Sequence, residues 1–320
     1  MSSFFNILKK FLGSLFPAAS SGAFQIDRLF FQFLLAAGAI MALITFLVVF
    51  SAIRFRSSRR PGIPRQVTGN TKLELLWTII PGLLIAFFFI LTIRTMFSIN
   101  KGISGHHTPE LEIVAHQWWW EISYPEYKVR TANELHIPVK RKLYTVVKSA
   151  DVVHDWWVPA LGRKIDAIPG HSNFTWIEAD KPGDYEGACS EFCGMQHAWM
   201  RIKVIAEPDS DFKRWIAGQK KPAIHPYDSL AAQGSVYFQE KSCANCHRIS
   251  GTTADAKIGP DLSHFASRQT ILSGMLPNNR KSLERWLRNP QKVKQGANMP
   301  DFHLTRHELK SLVQYLEELK

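Results

Sequence analysis

Two long apolar stretches dominate the first hundred residues of the chain. They run from Leu29 to Ile53 and from Leu73 to Ile93, and each reaches the about 20 residues that a helix needs to cross the hydrocarbon core of a bilayer. The pattern predicts a transmembrane hairpin over residues 27–100, with helices at about 29–53 and 73–94. Neither stretch is a cleaved signal peptide, because both are too long and the first begins too far from the N-terminus.

The segment between the two apolar stretches is strongly basic. Its positive side chains are Arg54, Arg56, Arg59, Arg60, Arg65 and Lys72. Positively charged loops stay in the cytoplasm, so both chain ends are predicted on the outer side, which is the periplasmic side of the inner membrane in a bacterium. Residues 1–26 form a separate segment with two open interpretations, a cleaved signal peptide or a retained interfacial helix.

The hydrophobic pattern changes its period after the hairpin. Short β-branched and aromatic runs, such as LEIVAHQWWWEISYP and MRIKVIAEP, predict an all-β sandwich or barrel over residues 101–215. A linker rich in Gly, Lys and Pro is predicted at 216–227. Residues 228–320 have a helical pattern that ends in a capping box at Thr305 and Glu308. The third region is therefore predicted to be a small all-α domain.

Net charge and cysteine content narrow the possible functions. The formal net charge of +12 has no accompanying aromatic-basic nucleic-acid motif. We therefore expect the chain to contact a lipid bilayer and not to bind nucleic acid. All four cysteines lie in two compact clusters, GACSEFCGMQHAWM and CANCH. In an oxidising compartment disulfides are the default use of cysteine, and this interpretation stays open for both pairs.

The CANCH cluster carries the attachment motif of a c-type haem. In C-x-x-C-H both sulfurs bond the haem, here Cys243 and Cys246, and His247 becomes an axial iron ligand. The surrounding residues 228–320 resemble a class I cytochrome c. That resemblance implies a methionine as the sixth iron ligand, for which Met299 is the candidate and Met275 the competitor. Packing is the alternative role for either methionine.

The other cluster offers soft metal ligands. Together with one upstream histidine it supplies imidazole, thiolate and thioether groups, from His154, Cys189, Cys193, His197 and Met200. This softness suits copper, although two histidines and two cysteines could also hold a structural zinc. A β-barrel with such a loop looks like a cupredoxin, and two thiolates can bridge two copper ions.

The sequence C-S-E-x-C-G-x-x-H-x-x-M is highly specific, and residues 27–207 resemble subunit II of haem-copper cytochrome c oxidases. With its haem domain, the whole chain is similar to subunit II of a caa3-type oxidase. The resemblance implies that the five side chains above bind a binuclear copper A centre. It also implies that Glu191 binds copper through its backbone carbonyl and a magnesium ion, shared with subunit I, through its carboxylate.

The same resemblance implies roles for two further residues. Trp118, in the run HQWWWE, is implied as the electron entry point, whereas Trp119 and Trp120 are open to a packing role. Glu74, at the cytoplasmic end of the second span, is implied at the mouth of a proton-uptake route, and an interfacial charge is its alternative role. Departures from the family pattern are PGHS at residues 169–172, in place of an arginine after PG, and Asp155 after His154.

The implied function is electron entry into a respiratory, proton-pumping oxidase. Electrons would pass from the haem to the copper centre and on to subunit I, with subunit III as a further partner and cytochrome c or a cytochrome bc complex as the donor. The chain lacks the histidine-rich membrane bundle of an oxygen site, so oxygen reduction is expected in subunit I. The alternatives are the electron-entry subunit of a nitric oxide reductase and a non-catalytic copper-binding or assembly protein.

Overall fold

The computed structural model describes residues 17–56, 62, 66, 69–103, 108–223 and 226–320. Most of the predicted N-terminal segment, and Arg59, Arg60 and Arg65 of the basic loop, lie outside these residues. The chain forms two compact units. One is Phe24–Lys101, and the other consists of the described residues up to Ala23 together with Gly102–Lys320.

The first unit contains the predicted hairpin. Helix α1 covers Ser21–Arg54 and helix α2 covers Thr71–Asn100. Both are long and apolar enough to cross a membrane. α1 begins before the predicted residue 29 because the Ser20 hydroxyl accepts a hydrogen bond from Ala23 N at 3.1 Å and caps the helix. A helix of 34 residues spans about 51 Å, so α1 is longer than the apolar core that it would cross.

Ten strands form the predicted β domain as two five-stranded sheets. In chain order the strands are β1 (Leu111–His116), β2 (Trp119–Tyr124), β3 (Val129–Ala132), β4 (Glu134–Pro138), β5 (Leu143–Ser149), β6 (His154–Trp157), β7 (Ile165–Ala167), β8 (Asn173–Ile177), β9 (Gly183–Cys189) and β10 (Arg201–Glu207). The sheet orders are β3-β2-β1-β5-β8 and β4-β10-β9-β6-β7. β1 pairs antiparallel with β2 and parallel with β5. These strand orders are those of a closed sandwich, as the sequence pattern predicts.

Alternating burial along the strands builds the core of this domain. Leu111, Ile113 and Ala115 of β1 are fully buried, and their neighbours in the strand are half-buried. In β2 the buried positions are Trp120, Ile122 and Tyr124. A period of two places each set on one sheet face, so the sequence alternation fixes which face packs inward.

Helix α3, Asp209–Gln219, extends into the residues predicted as linker. Asp209 and Asp211 occupy its first turn, where acidic groups interact favourably with the helix dipole. Phe212 and Ile216 are buried against the β domain. The helix therefore continues through residue 219, because Ile216 buries apolar surface that a flexible linker would leave in water.

Four helices and a short hairpin form the C-terminal domain. The helices are α4 (Ser229–Glu240), α5 (Arg280–Arg288), α6 (Pro290–Val293) and α7 (Arg306–Glu318). α4 and α7 approach closely because Gly234 has no side chain, and a Cβ there would lie 2.1 Å from Ser311 O. The predicted capping box at Thr305 and Glu308 is present. The hairpin pairs β11 (Thr270–Ile271) with β12 (Leu276–Pro277), an addition to the predicted all-α pattern.

Candidate metal and haem sites

The soft ligands converge at one end of the second sheet. His154 begins β6, Cys189 ends β9, and the loop between β9 and β10 carries Cys193, His197 and Met200. Because β6 and β10 both pair with β9, their ends place the upstream histidine beside the loop. Residues far apart in the sequence are thus brought to one point.

The distances between candidate ligand atoms are short. Cys189 Sγ lies 3.7 Å from Cys193 Sγ and 3.9 Å from His154 Nδ1. Cys193 Sγ lies 3.6 Å from His197 Nδ1 and 3.9 Å from Met200 Sδ. Sulfurs in a disulfide are about 2.05 Å apart, so Cys189 and Cys193 are free thiols here. The disulfide interpretation does not describe this pair.

Glu191 presents two different groups. Its backbone oxygen lies 3.2 Å from Cys189 Sγ, within the ligand cluster. Its side chain is exposed. One group therefore lies inside the cluster and the other at the surface, and the copper and magnesium roles stay predictions.

The electrostatics of the cluster favour a thiolate. The contact between the two sulfurs lowers the pKa of the Cys189 thiol against the opposing effect of burial, and the same contact together with burial raises the pKa of the Cys193 thiol. Burial also works against a charge on His154, but hydrogen bonds with Asp151 and Cys189 outweigh it, so the pKa of His154 is raised. Metal ligation requires deprotonated sulfur, and Cys189 is the thiol of this cluster whose pKa is shifted in that direction.

The residues present fit a copper site. His154, Cys189, Cys193 and Met200 are all buried, with exposed fractions of 0%, 5%, 2% and 0%. His154, Cys189 and Cys193 have ligand atoms within 4.8 Å of one another. A tetrahedral zinc site needs four ligands, whereas this cluster adds a buried thioether and a backbone oxygen to two thiols and two imidazoles. Thioether and thiolate together favour copper.

Asp151 is a residue of this site that the sequence reasoning missed. Its Oδ1 accepts a hydrogen bond from His154 Nε2 at 2.8 Å, which leaves Nδ1 directed at Cys189. Carboxylates that orient a ligand histidine in this way are usual around metals. The spacing in DVVH, an acid three residues before the ligand, was an available signal.

Asp155, the departure next to His154, is buried. Burial and a hydrogen bond with Asp166, its partner across β6 and β7, raise the pKa of its carboxyl group to about 7. Its Oδ1 has no hydrogen-bond partner among the described residues. The departure therefore places a buried carboxyl group with a raised pKa next in the chain to His154.

The haem-attachment residues line a cavity in the same unit. Cys243, Cys246, His247 and Met299 are among its lining residues, and it encloses about 1180 Å³ of empty space including its opening. His247 Nδ1 donates a hydrogen bond to Pro260 O at 2.8 Å, so Nε2 keeps its lone pair. Burial lowers the pKa of His247 and favours the neutral, ligating form.

The backbone beside His247 also fits a ligating histidine. A Cβ on Gly259 would lie 2.7 Å from Cε1 of the imidazole, a distance that side-chain atoms do not tolerate. Glycine at this position lets the chain pass directly beside the ring. The two cysteines, the oriented imidazole and the roomy apolar cavity together fit a covalent haem.

Met299 and Met275 occupy different environments. Met299 lines this cavity and packs against the core of the helical domain. Met275 is half-buried in the turn of the β11–β12 hairpin and is not among the described residues that line the cavity. The geometry favours Met299 as the sixth ligand.

Trp118 contacts both candidate sites. Its indole Nε1 donates a hydrogen bond to Cys193 O at 2.9 Å, and Gln117 Nε2 donates to the same oxygen at 2.8 Å. Trp118 also lines the cavity that holds Cys243 and His247. A single aromatic residue therefore joins the loop of copper ligands to the wall of the haem cavity.

Glu74 lies at the start of α2, in the other compact unit. Its carboxylate accepts a hydrogen bond from Asn70 N at 3.2 Å, while Asn70 Oδ1 accepts one from Leu73 N at 3.3 Å. These contacts give Glu74 a helix-capping role. The capping role is compatible with the proton-uptake role, which stays a prediction.

Three family models match the chain. They are cytochrome C oxidase subunit II, transmembrane domain, over residues 10–94; cytochrome C oxidase subunit II, periplasmic domain, over residues 128–207; and cytochrome c over residues 231–320. The matches follow the order of hairpin, β domain and helical domain seen in the structure.

Curated relatives carry the same three parts of the chain. Cytochrome c oxidase subunit 2 of Alkalihalophilus pseudofirmus is 38% identical over 291 residues, which cover 88% of this chain and 84% of the relative. The protein of that name from Bacillus sp. (strain PS3) is 34% identical and covers 83% of this chain and 80% of its own length. The one from Bacillus subtilis is 31% identical, and the match covers 98% of this chain and 93% of that relative.

Proposed function

Because the chain belongs to the cytochrome c oxidase subunit 2 family and carries a C-terminal cytochrome c domain, we propose that it is the electron-entry subunit of a respiratory oxidase. Electrons enter at a covalent haem c in the cytochrome domain, cross to a binuclear copper A centre in the cupredoxin domain, and leave to subunit I. The donor is cytochrome c or a cytochrome bc complex. Subunit I reduces oxygen to water with proton pumping, and subunit III completes the core.

The protein's own residues hold the two groups. Cys243 and Cys246 would anchor the haem, and His247 and Met299, which line the same cavity, would supply its iron ligands. The copper ligands are His154, Cys189, Cys193, His197, Met200 and the backbone oxygen of Glu191. When bound, haem and copper supply one-electron chemistry without proton transfer at the protein ligands.

The observation that carries this proposal is the position of Trp118 at both candidate sites. Electron tunnelling falls steeply with distance, and an aromatic residue that lines the haem cavity and contacts the Cys193 peptide shortens the gap between them. The hydrogen bond from the indole to Cys193 O fixes the ring relative to the copper ligands. A non-catalytic copper carrier has no need for such a bridge.

The membrane and partner roles extend the proposal. α1 and α2 anchor the chain in the bacterial inner membrane, with both redox domains and both termini on the periplasmic side. The exposed Glu191 carboxylate binds magnesium together with subunit I. Glu74 lies at the mouth of a proton-uptake route at the cytoplasmic end of α2.

The test is the rate of electron transfer from haem to copper in the purified oxidase complex. After photoreduction of the haem, Trp118→Ala should slow copper reduction strongly and leave the haem and copper spectra intact. Trp119→Ala is the matched control, since Trp119 also lines the haem cavity and stacks on His116 but makes no described contact with Cys193. An unchanged rate in Trp118→Ala would contradict the proposed path.

A further inference from the structure

A buried carboxylate lies where the cytochrome domain meets the cupredoxin domain. Glu134, the first residue of β4, is only 2% exposed. Its carboxylate accepts hydrogen bonds from Gln269 N at 3.0 Å, from Thr270 N at 2.8 Å and from Thr270 Oγ1 at 2.9 Å. All three donors belong to the segment 269–277 of the cytochrome domain, which we call the docking hairpin.

This contact selects one docked arrangement. A buried carboxylate is costly unless it is fully hydrogen-bonded, and bonds from backbone N–H groups to a charged acceptor are among the strong ones. A shifted docking that still covered Glu134 would lose its donors and leave a buried charge. Glu134 therefore penalises misplaced arrangements as well as stabilising the observed one.

A buried lysine makes a second contact on the other side of the same hairpin. Lys294 is 4% exposed, and its Nζ donates hydrogen bonds to Trp118 O at 2.9 Å and to Leu272 O at 3.3 Å. Ser273 Oγ donates to Trp118 O as well, at 2.9 Å. Burial lowers the pKa of Lys294 to about 8, which reflects how completely the domain contact removes this amine from water.

These contacts and the hydrogen bond to Cys193 fix both the backbone oxygen and the indole of Trp118. Its backbone oxygen is held by Lys294 and Ser273 of the cytochrome domain, while its indole donates to Cys193 O of the copper loop. The cytochrome domain cannot leave its place without releasing the peptide of the residue that joins the two sites.

We propose that Glu134 and Lys294 are positioning residues that fix the cytochrome domain on the Trp118 peptide and thereby set the haem-to-copper electron-transfer rate. The inference rests on the proposed function. Neither residue is among the proposed ligands. Glu134 lies outside the haem cavity and Lys294 in its wall, and each acts through the placement of Trp118 and that cavity.

The test uses Glu134→Gln and Lys294→Met in the assembled, metal- and haem-loaded complex. Glutamine directs an N–H₂ group at the N–H donors of the hairpin, and methionine keeps the apolar stem of lysine without its donors. Loss of such charge-assisted bonds should weaken docking about tenfold or more. Hydrogen exchange of the Gln269 and Thr270 amides should accelerate by that factor, and electron transfer should become slower and multiphasic.

Matched controls and a milder variant separate positioning from general instability. Glu126→Gln and Lys292→Met alter exposed residues of the same two domains and should change neither readout. Thr270→Val removes one donor to Glu134 without burying a new polar group, and a smaller loss of hairpin protection is expected. The copper electron resonance signal should be native in every variant. The haem potential should be native in Glu134→Gln, because Glu134, unlike Thr270 and Lys294, is not among the described residues that line the haem cavity.

Three results would overturn the inference. Unchanged exchange at the hairpin in Glu134→Gln and Lys294→Met would show that these residues do not hold the domains together. Faster exchange with an unchanged electron-transfer rate would show docking without positioning. Loss of haem or copper from the conservative Thr270→Val would indicate a folding role. None of these results bears on the proposed function, which is tested by the electron-transfer rate of Trp118→Ala.

Discussion

Replacement of Asp151 by asparagine perturbs the copper site while leaving every proposed ligand in place. Asp151 Oδ1 accepts hydrogen bonds from His154 Nε2 at 2.8 Å and from Val152 N at 2.7 Å, and Oδ2 accepts one from Gln117 N. Asparagine has one acceptor oxygen where aspartate has two. In Asp151→Asn, either the His154 imidazole or the Gln117 amide therefore loses its acceptor.

The magnitude follows from the lost bond. A hydrogen bond to a charged group contributes about 1.5–3 kcal/mol, and removal of the orienting partner of a ligand histidine weakens metal binding about 10- to 100-fold. The second figure corresponds to about 1.4–2.8 kcal/mol. The two estimates agree, so we expect Asp151→Asn to raise the copper dissociation constant about 10- to 100-fold.

The assay is a competition titration of the full chain with a copper chelator, followed by the electron resonance signal of the copper centre. Asp209→Asn is the control, because Asp209 makes an exposed ion pair with Lys213 on α3 and lies outside the ligand cluster. Equal affinities for Asp151→Asn and the native chain would refute the orienting role. Equal losses of copper affinity in Asp151→Asn and Asp209→Asn would also refute it.

Two further changes address the cytochrome domain. Met299→Ala should lower the haem potential and remove the sulfur-to-iron absorption band, whereas Met275→Ala should keep both in a redox titration, and the reverse pattern would contradict the ligand assignment. Burial alone would raise the pKa of Asp261, but hydrogen bonds from Ser263 and Arg248 outweigh it and bring that pKa below 3.8. The stabilisation of the fold by Asp261 is therefore complete above pH 3.8 and is lost as the pH falls through the lower folded-state pKa. Thermal unfolding should therefore show a gap between the native chain and Asp261→Asn that narrows in acid, and a gap independent of pH would argue against this.

Local spacing explains why most of the copper site was predictable. Cys189, Cys193, His197 and Met200 belong to one loop, so their proximity needs no knowledge of the fold. His154 was included for its ligand chemistry and Trp118 from resemblance, since the approach of both to that loop depends on strand pairing. Asp151 could have been found from its spacing to His154, because an acid three residues from a ligand is a local signal.

The contacts between the domains have no comparable local signal in the sequence. Glu134 meets Thr270 across 136 residues of chain, and Lys294 meets Trp118 across 176. Hydrophobic periodicity identifies elements and their buried faces, but it does not say which polar residue of one domain faces which residue of another. The docking hairpin escaped prediction for a related reason, because strands of two residues are too short to show a period.

The three adjacent tryptophans show how strand geometry separates three roles. Trp119 and Trp120 lie in β2, where neighbours point to opposite faces. Trp120 is fully buried and packs edge-on against Trp156 in the core, whereas Trp119 stacks on His116 with ring centroids 4.2 Å apart. Trp118 precedes the strand and is not bound by its alternation. Of the three, it is therefore the one whose indole can turn to the copper loop while its carbonyl faces the cytochrome domain.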